Sequence, residues 1–170
     1  MKIIILNGSP RKNGNTKALI QAFIKGAKDK HDITCYDICS MNIHGCLGCD
    51  YCRKNNRQCL QQDDMQLIYK VLDEADMIIL ASPIYYHSLS GQLQCAINRI
   101  YALDKPLKLT QAALILSSGD KDVYEGALYE YTQSFLNYLK LEDKGIYTAY
   151  DKENKSEEKL KELYLFGKNL

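Results

Sequence analysis

Three short runs of consecutive apolar residues, at positions 3–6, 77–81 and 112–116, constrain this chain more than any other feature of its sequence. Each is too short for a buried helix. Each is closed by residues that break regular structure: Gly8 and Pro10, then Ser82 and Pro83, then Ser118 and Gly119. Strands covered on both faces read this way, and such strands belong to parallel sheets. Amphipathic stretches lie between them. Residues 16–28 place Leu19, Phe23 and Ala27 at helical spacing, and Asp63 or Asp64 can cap a helix with Met65, Ile68, Leu72 and Ala75 on one face. Further helices are expected over about 90–102, along the stripe Tyr124, Leu128, Tyr131, Phe135 and Tyr138, and after a Ser156 cap followed by Glu157 and Glu158. Residues 32–38 and 145–150 mix polar with apolar positions, as edge strands do, and residues 39–62 carry no period and read as a long loop.

Putting the two mixed strands at the edges and the three apolar ones inside gives a five-stranded parallel sheet in the order 2-1-3-4-5. This is the doubly wound, flavodoxin-like α/β arrangement, with three αβα layers. The 170 residues show no repeat or linker and suit a single domain over 1–170. In such a sheet, ligands bind beyond the carboxyl ends of the strands where the order reverses, here between the first and third strands.

The loop at that point is Gly8-Ser9-Pro10-Arg11-Lys12-Asn13-Gly14-Asn15-Thr16. Its glycines let backbone N–H groups approach an anion, and the helix that follows adds its positive end. Ser9, Asn15 and Thr16 supply short donors and Arg11 a charged one, an arrangement suited to a flavin monophosphate. Five residues separate the two glycines and Asn15 follows, so the ATP-type loop is not met, and no Gly-x-Gly-x-x-Gly fingerprint is present. No Gly-x-Ser-x-Gly elbow surrounds Ser9 to make it a nucleophile. Taken alone, the loop also reads as an ordinary β–α turn.

The loop resembles the Gly-Ser-x-Arg-x-x-Gly/Ser-x-Thr segment of the NADPH-dependent FMN reductase family, within the flavodoxin-like superfamily. Ser82-Pro83-Ile84-Tyr85-Tyr86 is similar to that family's second FMN loop, Asp63-Asp64-Met65 to the opening of its second helix, and Ser90-Gly91-Gln92-Leu93-Gln94 with Asn98-Arg99 to its next helix. The matches fall in the family's order over about residues 1–120. The resemblance implies that Ser9, Arg11, Asn13, Asn15 and Thr16 hold the FMN phosphate. It implies that Pro83, Ile84, Tyr85 and Tyr86 line the ribityl chain and ring, and that Ser117, Ser118 and Gly119 form a third loop. Tyrosine suits the ring, since its face stacks while its hydroxyl reaches a polar partner. Tyr124, Tyr131 and Tyr138 read as a helix face without chemistry, and His87 as a surface histidine.

Seven cysteines in a chain without a signal-peptide pattern argue against a disulfide framework. Cys46, Cys49, Cys52 and Cys59 have the spacing C-x2-C-x2-C-x6-C. Compact runs of this kind occur in ferredoxin-type ligation, whereas zinc sites separate two ligand pairs by a longer spacer. The segment resembles the cysteine loop of iron–sulfur flavoproteins, which hold a 4Fe–4S cluster beside FMN. It is equally similar to the Cys-x-Gly-Cys-x-x-Cys loop of flavin reductases with no known cluster, so a cluster and a thiol-rich loop that shapes the pocket or an oligomer contact both stand. Cys35, Cys39 and Cys95 read as small hydrophobes.

The formal net charge of +1 gives no basic field for nucleic acid or a membrane surface. The longest apolar runs are five residues where a spanning helix needs about 20. A cytoplasmic protein is expected. The reading is an FMN-dependent NAD(P)H oxidoreductase with an unassigned acceptor, the flavin carrying the chemistry and no catalytic triad required. The alternatives are an iron–sulfur flavoprotein exchanging electrons with a ferredoxin-like partner, and a non-enzymatic flavin module. The family resemblance implies a homodimer or homotetramer.

Overall fold

The computed structural model describes residues 1–106 and 108–170. Five strands, β1 (Lys2–Asn7), β2 (Asp32–Asp37), β3 (Met77–Pro83), β4 (Gln111–Ser118) and β5 (Glu142–Tyr150), pair in parallel in the order β2-β1-β3-β4-β5. The two-residue period of the strands sorts their side chains onto two faces. On one face Ile4, Leu6, Ile78, Leu80, Leu114 and Leu116 pack against α3 (Met65–Leu72), α4 (Gly91–Ile100) and α5 (Glu125–Glu130). On the other, Ile3, Ile5, Met77, Ile79 and Ile115 pack against α1 (Asn15–Ala27) and α6 (Glu157–Asn169) through Leu19, Ile20, Phe23 and Leu163. A continuous apolar run is what a strand needs when both faces are roofed. The α1–α6 roof depends on close approach: a Cβ on Gly26 or Gly167 would collide with the backbone carbonyl of Tyr164 or Phe23.

Caps and ends follow local chemistry. Ser90 Oγ accepts from the Leu93 N–H and Ser156 Oγ from the Lys159 N–H, closing the starts of α4 and α6. Three elements differ from the sequence reading. The fifth strand begins at Glu142, not at Gly145, because the Glu142 N–H pairs with Thr110 O at 2.8 Å although residues 142–144 are polar. Lys144 and Gly145 bulge opposite Ala113, with Gly145 at φ 131°. The expected long helix over 124–138 is α5 followed by a π-helical segment, Tyr131–Tyr138, closed by Leu139 N–H on Ser134 O. The loop expected over 39–62 holds a 3₁₀ turn (Ile38–Ser40) and a short helix, α2 (Tyr51–Lys54).

One polar group lies at the heart of this frame. The Arg99 side chain is 1% exposed and forks onto Asp63, itself 4% exposed, at 2.7 and 3.1 Å. It also donates to His44 O at 2.9 Å and to Tyr69 Oη at 3.3 Å, and Tyr69 donates back to Arg99 O. Asp63 in turn accepts from the N–H groups of His44 and Met65, so one ion pair joins α4, the start of α3 and the cysteine segment. Removing one partner of a buried pair strands the other charge, so Arg99→Met is expected to cost about 3–5 kcal/mol in urea unfolding. Burial pushes the Asp63 carboxyl up, but the bonds from Arg99, His44 and Met65 outweigh it and hold it below its ordinary value. A depressed carboxyl stabilises the fold above its unfolded value of about 3.9, and that stabilisation is lost as pH falls through the folded value. The stability gap between wild type and Asp63→Asn is therefore expected to shrink as acid unfolding curves move below roughly pH 4.

Candidate functional site

The turn after β1 is fixed before any ligand arrives. Gly8 N–H donates to Ala81 O at 2.8 Å, fastening the loop to β3. Gly8 is glycine because α4 begins against it: a Cβ there would lie 2.8 Å from Leu93 Cβ. The buried Asn7 side chain donates to Asp37 at 2.8 Å and accepts from the Ser9 N–H at 3.0 Å. Lys17 holds the same Asp37 carboxylate at 2.7 and 2.9 Å. Burial raises the Asp37 carboxyl, but the Lys17 and Asn7 bonds win and keep it ionised below its ordinary range. Further along, Ser9 Oγ accepts from the Arg11 N–H and Arg11 O from the Gly14 N–H. Helix α1 then starts with no side-chain cap and no acidic residue in its first turn. Its first N–H groups, which no helix can satisfy internally, face outward where an anion is favoured.

A cavity of about 350 Å³ opens at the carboxyl ends of β1, β3 and β4. Ser9, Arg11, Asn15 and Thr16 line it from the first loop, Pro83, Ile84 and Tyr85 from the second, and Ser117, Ser118 and Gly119 from the third. Thr16 Oγ1 and Ser117 Oγ are hydrogen-bonded at 2.7 Å, so the first and third loops touch. Asn13 and Tyr86 lie outside the lining. Asn13 turns its carbonyl to Lys155 Nζ at 3.0 Å. Tyr86 is fully exposed at the tip of the turn over 85–88, where Tyr85 and Ser88 exchange backbone hydrogen bonds and Tyr86 and His87 both take positive φ. His87 is exposed and outside the lining as well.

Two lining residues, Asp151 and Asn154, escaped the sequence reading. They sit in a 3₁₀ turn, Asp151–Lys155, directly after β5. Asp-Lys-Glu-Asn-Lys is the composition of a solvated turn, and nothing in it signals that Asn154 is only 3% exposed. Tyr124, read as a plain helix-face residue, instead braces the third loop: its hydroxyl lies 2.7 Å from Ser118 Oγ and 3.2 Å from Ala149 O. Arg11 and Asp151 are the charged side chains of the lining. The cavity thus offers hydroxyl, amide and guanidinium donors beside a helix N-terminus at one end and a flat aromatic and aliphatic wall at the other. Such a lining suits an anion at one end and a planar group at the other; among its residues no nucleophile is paired with a base.

The cysteine segment forms a second feature. All seven cysteines are free thiols. Cys46, Cys49, Cys52 and Cys59 border a single small cavity of about 20 Å³, together with Arg99 and Tyr101. Gly48 and Asp50, at φ 63° and 52°, wrap the chain around it. Among the described residues, no three His, Cys, Asp or Glu side chains converge closely enough to hold one metal ion. The donor set fits a cluster; the space, enough for about one water, requires the exposed loop to open around it. Burial pushes Cys35 up to about 11, and burial, then Asp37, raises Cys39, whose Sγ donates to Gly8 O at 3.3 Å.

Comparison with known proteins agrees with this architecture. The chain matches the family described as NADPH-dependent FMN reductase over residues 1–153. It is 35% identical over 101 residues to an iron-sulfur flavoprotein of Archaeoglobus fulgidus, a match covering 59% of this chain and 46% of that one. It is 26% identical over 148 residues to an iron-sulfur flavoprotein of Clostridioides difficile, covering 85% and 64%. The chain spans about half the length of the first curated relatives it matches. Among solved structures, an NAD(P)H:quinone oxidoreductase from Methanothermobacter marburgensis superposes with a TM-score of 0.75 at 16% identity, over 99% of this chain and 95% of that one, which is a likeness of fold. The match over residues 1–153, together with the strand order and loops described above, places this chain in the NADPH-dependent FMN reductase family.

Proposed function

We propose that the chain binds FMN in the cavity at the ends of β1, β3 and β4 and works as an FMN-dependent NAD(P)H oxidoreductase. The observation that carries this reading is the meeting of three loops in one cavity of about 350 Å³, with the uncapped start of α1 at the end suited to an anion. Ser9, Arg11, Asn15 and Thr16 hold the phosphate, with Asn13 shaping the loop by its backbone. Pro83, Ile84 and Tyr85 face the ring and Tyr86 stands at its rim; Ser117, Ser118 and Gly119 close the third side. Asn154 Oδ1 is buried on this lining without a donor among the described residues, an acceptor that a ligand hydroxyl would satisfy. Bound FMN supplies two-electron chemistry, taking hydride from NAD(P)H and releasing electrons to an acceptor. The protein's part is to fix the phosphate, orient the ring and exclude water from one face. Assembly into a homodimer or homotetramer belongs to the same reading.

The reading predicts a yellow protein with a flavin spectrum, bleached by NAD(P)H without added enzyme. Arg11→Ala is expected to weaken FMN binding about tenfold in fluorescence titration, the scale of one charge-assisted hydrogen bond. A colourless protein that takes up no added FMN would falsify the assignment.

A second reading rests on the four thiols around one cavity: a 4Fe–4S cluster on Cys46, Cys49, Cys52 and Cys59, with a ferredoxin-like protein as electron partner. Arg99, already paired with Asp63, lines the same cavity and holds its wall in place. Anaerobically purified protein is then expected to hold about four iron and four sulfide per chain, and Cys49→Ser to lose the iron while retaining flavin. Iron-free protein with full flavin content leaves the thiols as a structural loop.

A further inference from the structure

The family match ends at residue 153, and the next two residues make contacts that reach back across the cavity. Asn154 Nδ2 donates to Ser118 O at 2.8 Å and to Asp151 O at 3.0 Å. Both amide protons meet carbonyls, so the amide is oriented one way only: turned over, its oxygen would face two acceptors. Lys155 Nζ donates to Asn13 O at 3.0 Å, 142 residues away in sequence. The turn that carries them is tightly set. Asp151 holds φ at 41°, a left-handed conformation unfavourable for a non-glycine residue, and Ser156 caps α6 immediately afterwards.

These contacts have a common result. Asn154 is fastened to the third loop, Lys155 to the first, and the two are adjacent on one short turn. The same two loops already touch through Thr16 and Ser117. With that bond the turn closes a ring of contacts: first loop, third loop, Asn154, Lys155, and back to the first loop. Charge supplies the second part of the argument. The lining itself balances one cation, Arg11, against one carboxylate, Asp151. A phosphate monoester carries close to two negative charges at neutral pH. Lys155, exposed and outside the lining, stands at the backbone of the same loop as Arg11 and Lys12 and adds positive charge beside that end of the cavity.

We propose that the turn Asp151–Lys155 is a fourth wall of the cavity, in which Asn154 and Lys155 are positioning residues that clamp the third and first loops, with Lys155 also selecting for the phosphorylated flavin. The cofactor in this proposal rests on the FMN reading above; the clamp itself does not. Asn154 acts on the loop beside the ring, so its loss weakens FMN and riboflavin alike. Lys155 acts at the phosphate end, so its loss weakens FMN and leaves riboflavin unchanged.

The test uses Asn154→Ala, Lys155→Met and Lys155→Arg in the full chain. Amide hydrogen exchange on flavin-free protein reads the clamp without any ligand. Faster exchange at residues 117–119 in Asn154→Ala, and at 11–15 in Lys155→Met, is expected. Titrations with FMN and riboflavin then read the selectivity. Lys155→Met is expected to weaken FMN roughly three- to tenfold at low salt, less at high salt because the lysine is exposed, with Lys155→Arg restoring it. Unchanged exchange in both loops overturns the clamp, whatever happens to flavin. Equal losses of FMN and riboflavin in Lys155→Met overturn its role in selectivity. Wild-type protein that takes up neither flavin, while the variants still show the exchange changes, sinks the cofactor reading and leaves the clamp standing. Because Lys155 is exposed, its variants keep the test sound even if Asn154→Ala unfolds.

Discussion

A parallel strand can be joined to its neighbour only by a crossover, and the crossover must lie on one face of the sheet. In this chain the crossovers divide between the faces, α1 on one side, joined there by α6 after β5, and α3, α4 and α5 on the other. Both faces are therefore dry, and the backbone groups of the three inner strands are spent on each other. Polar chemistry has one place left to go: the loops that leave the carboxyl ends of the strands. The reversal of strand order between β1 and β3 opens a gap among those loops, since the helices that follow them depart in opposite directions. The cavity of about 350 Å³ lies at that gap. Its position is a consequence of how the sheet is covered.

Within that frame, two polar networks do what the apolar core cannot, which is to fix loops. Asn7, Asp37 and Lys17 hold the first loop from beneath, joining β1, β2 and α1. Arg99 and Asp63 hold the cysteine segment, through His44, against α3 and α4. The two networks serve different sites and share no residue. A buried ion pair in this setting adds little net stability over a well-packed apolar pair, but it fixes where the backbone at His44 runs. The thiol cavity is lined by the same arginine, so the geometry of Cys46 to Cys59 depends on an interaction made by a helix far along the chain.

Much of this was legible in the sequence, for physical reasons that can be named. Runs such as residues 77–81 read as strand because side chains roofed on both sides must be almost all apolar, with Asn7, Ser82 and Ser117 buried only near the carboxyl ends. The first loop was legible because its chemistry is local: two glycines in a turn, and short donors at a helix start. Long-range contacts were not. Asn154 looks like any turn asparagine until the fifth strand delivers it to Ser118, and Tyr124 looks like a helix-face residue until Ser118 and Ala149 lie beside its hydroxyl. Glu142 reads as loop because its side chain is polar, yet its backbone is what pairs with β4. The separation of Tyr85 and Tyr86, one on the cavity lining and one in solvent, follows from a tight turn whose positive φ values no pattern of side chains announced.

The sequence by itself determined the strand order, the two roofed faces and the three loops that carry donors, because hydrophobic period and local turn chemistry act over a few residues. Tertiary structure alone decided which side chains complete the site. Arg99 became the anchor of the cysteine loop, and the turn after β5 became a wall of the cavity, because hydrogen bonds that span 36 or 142 residues exist only once the sheet has brought their partners together.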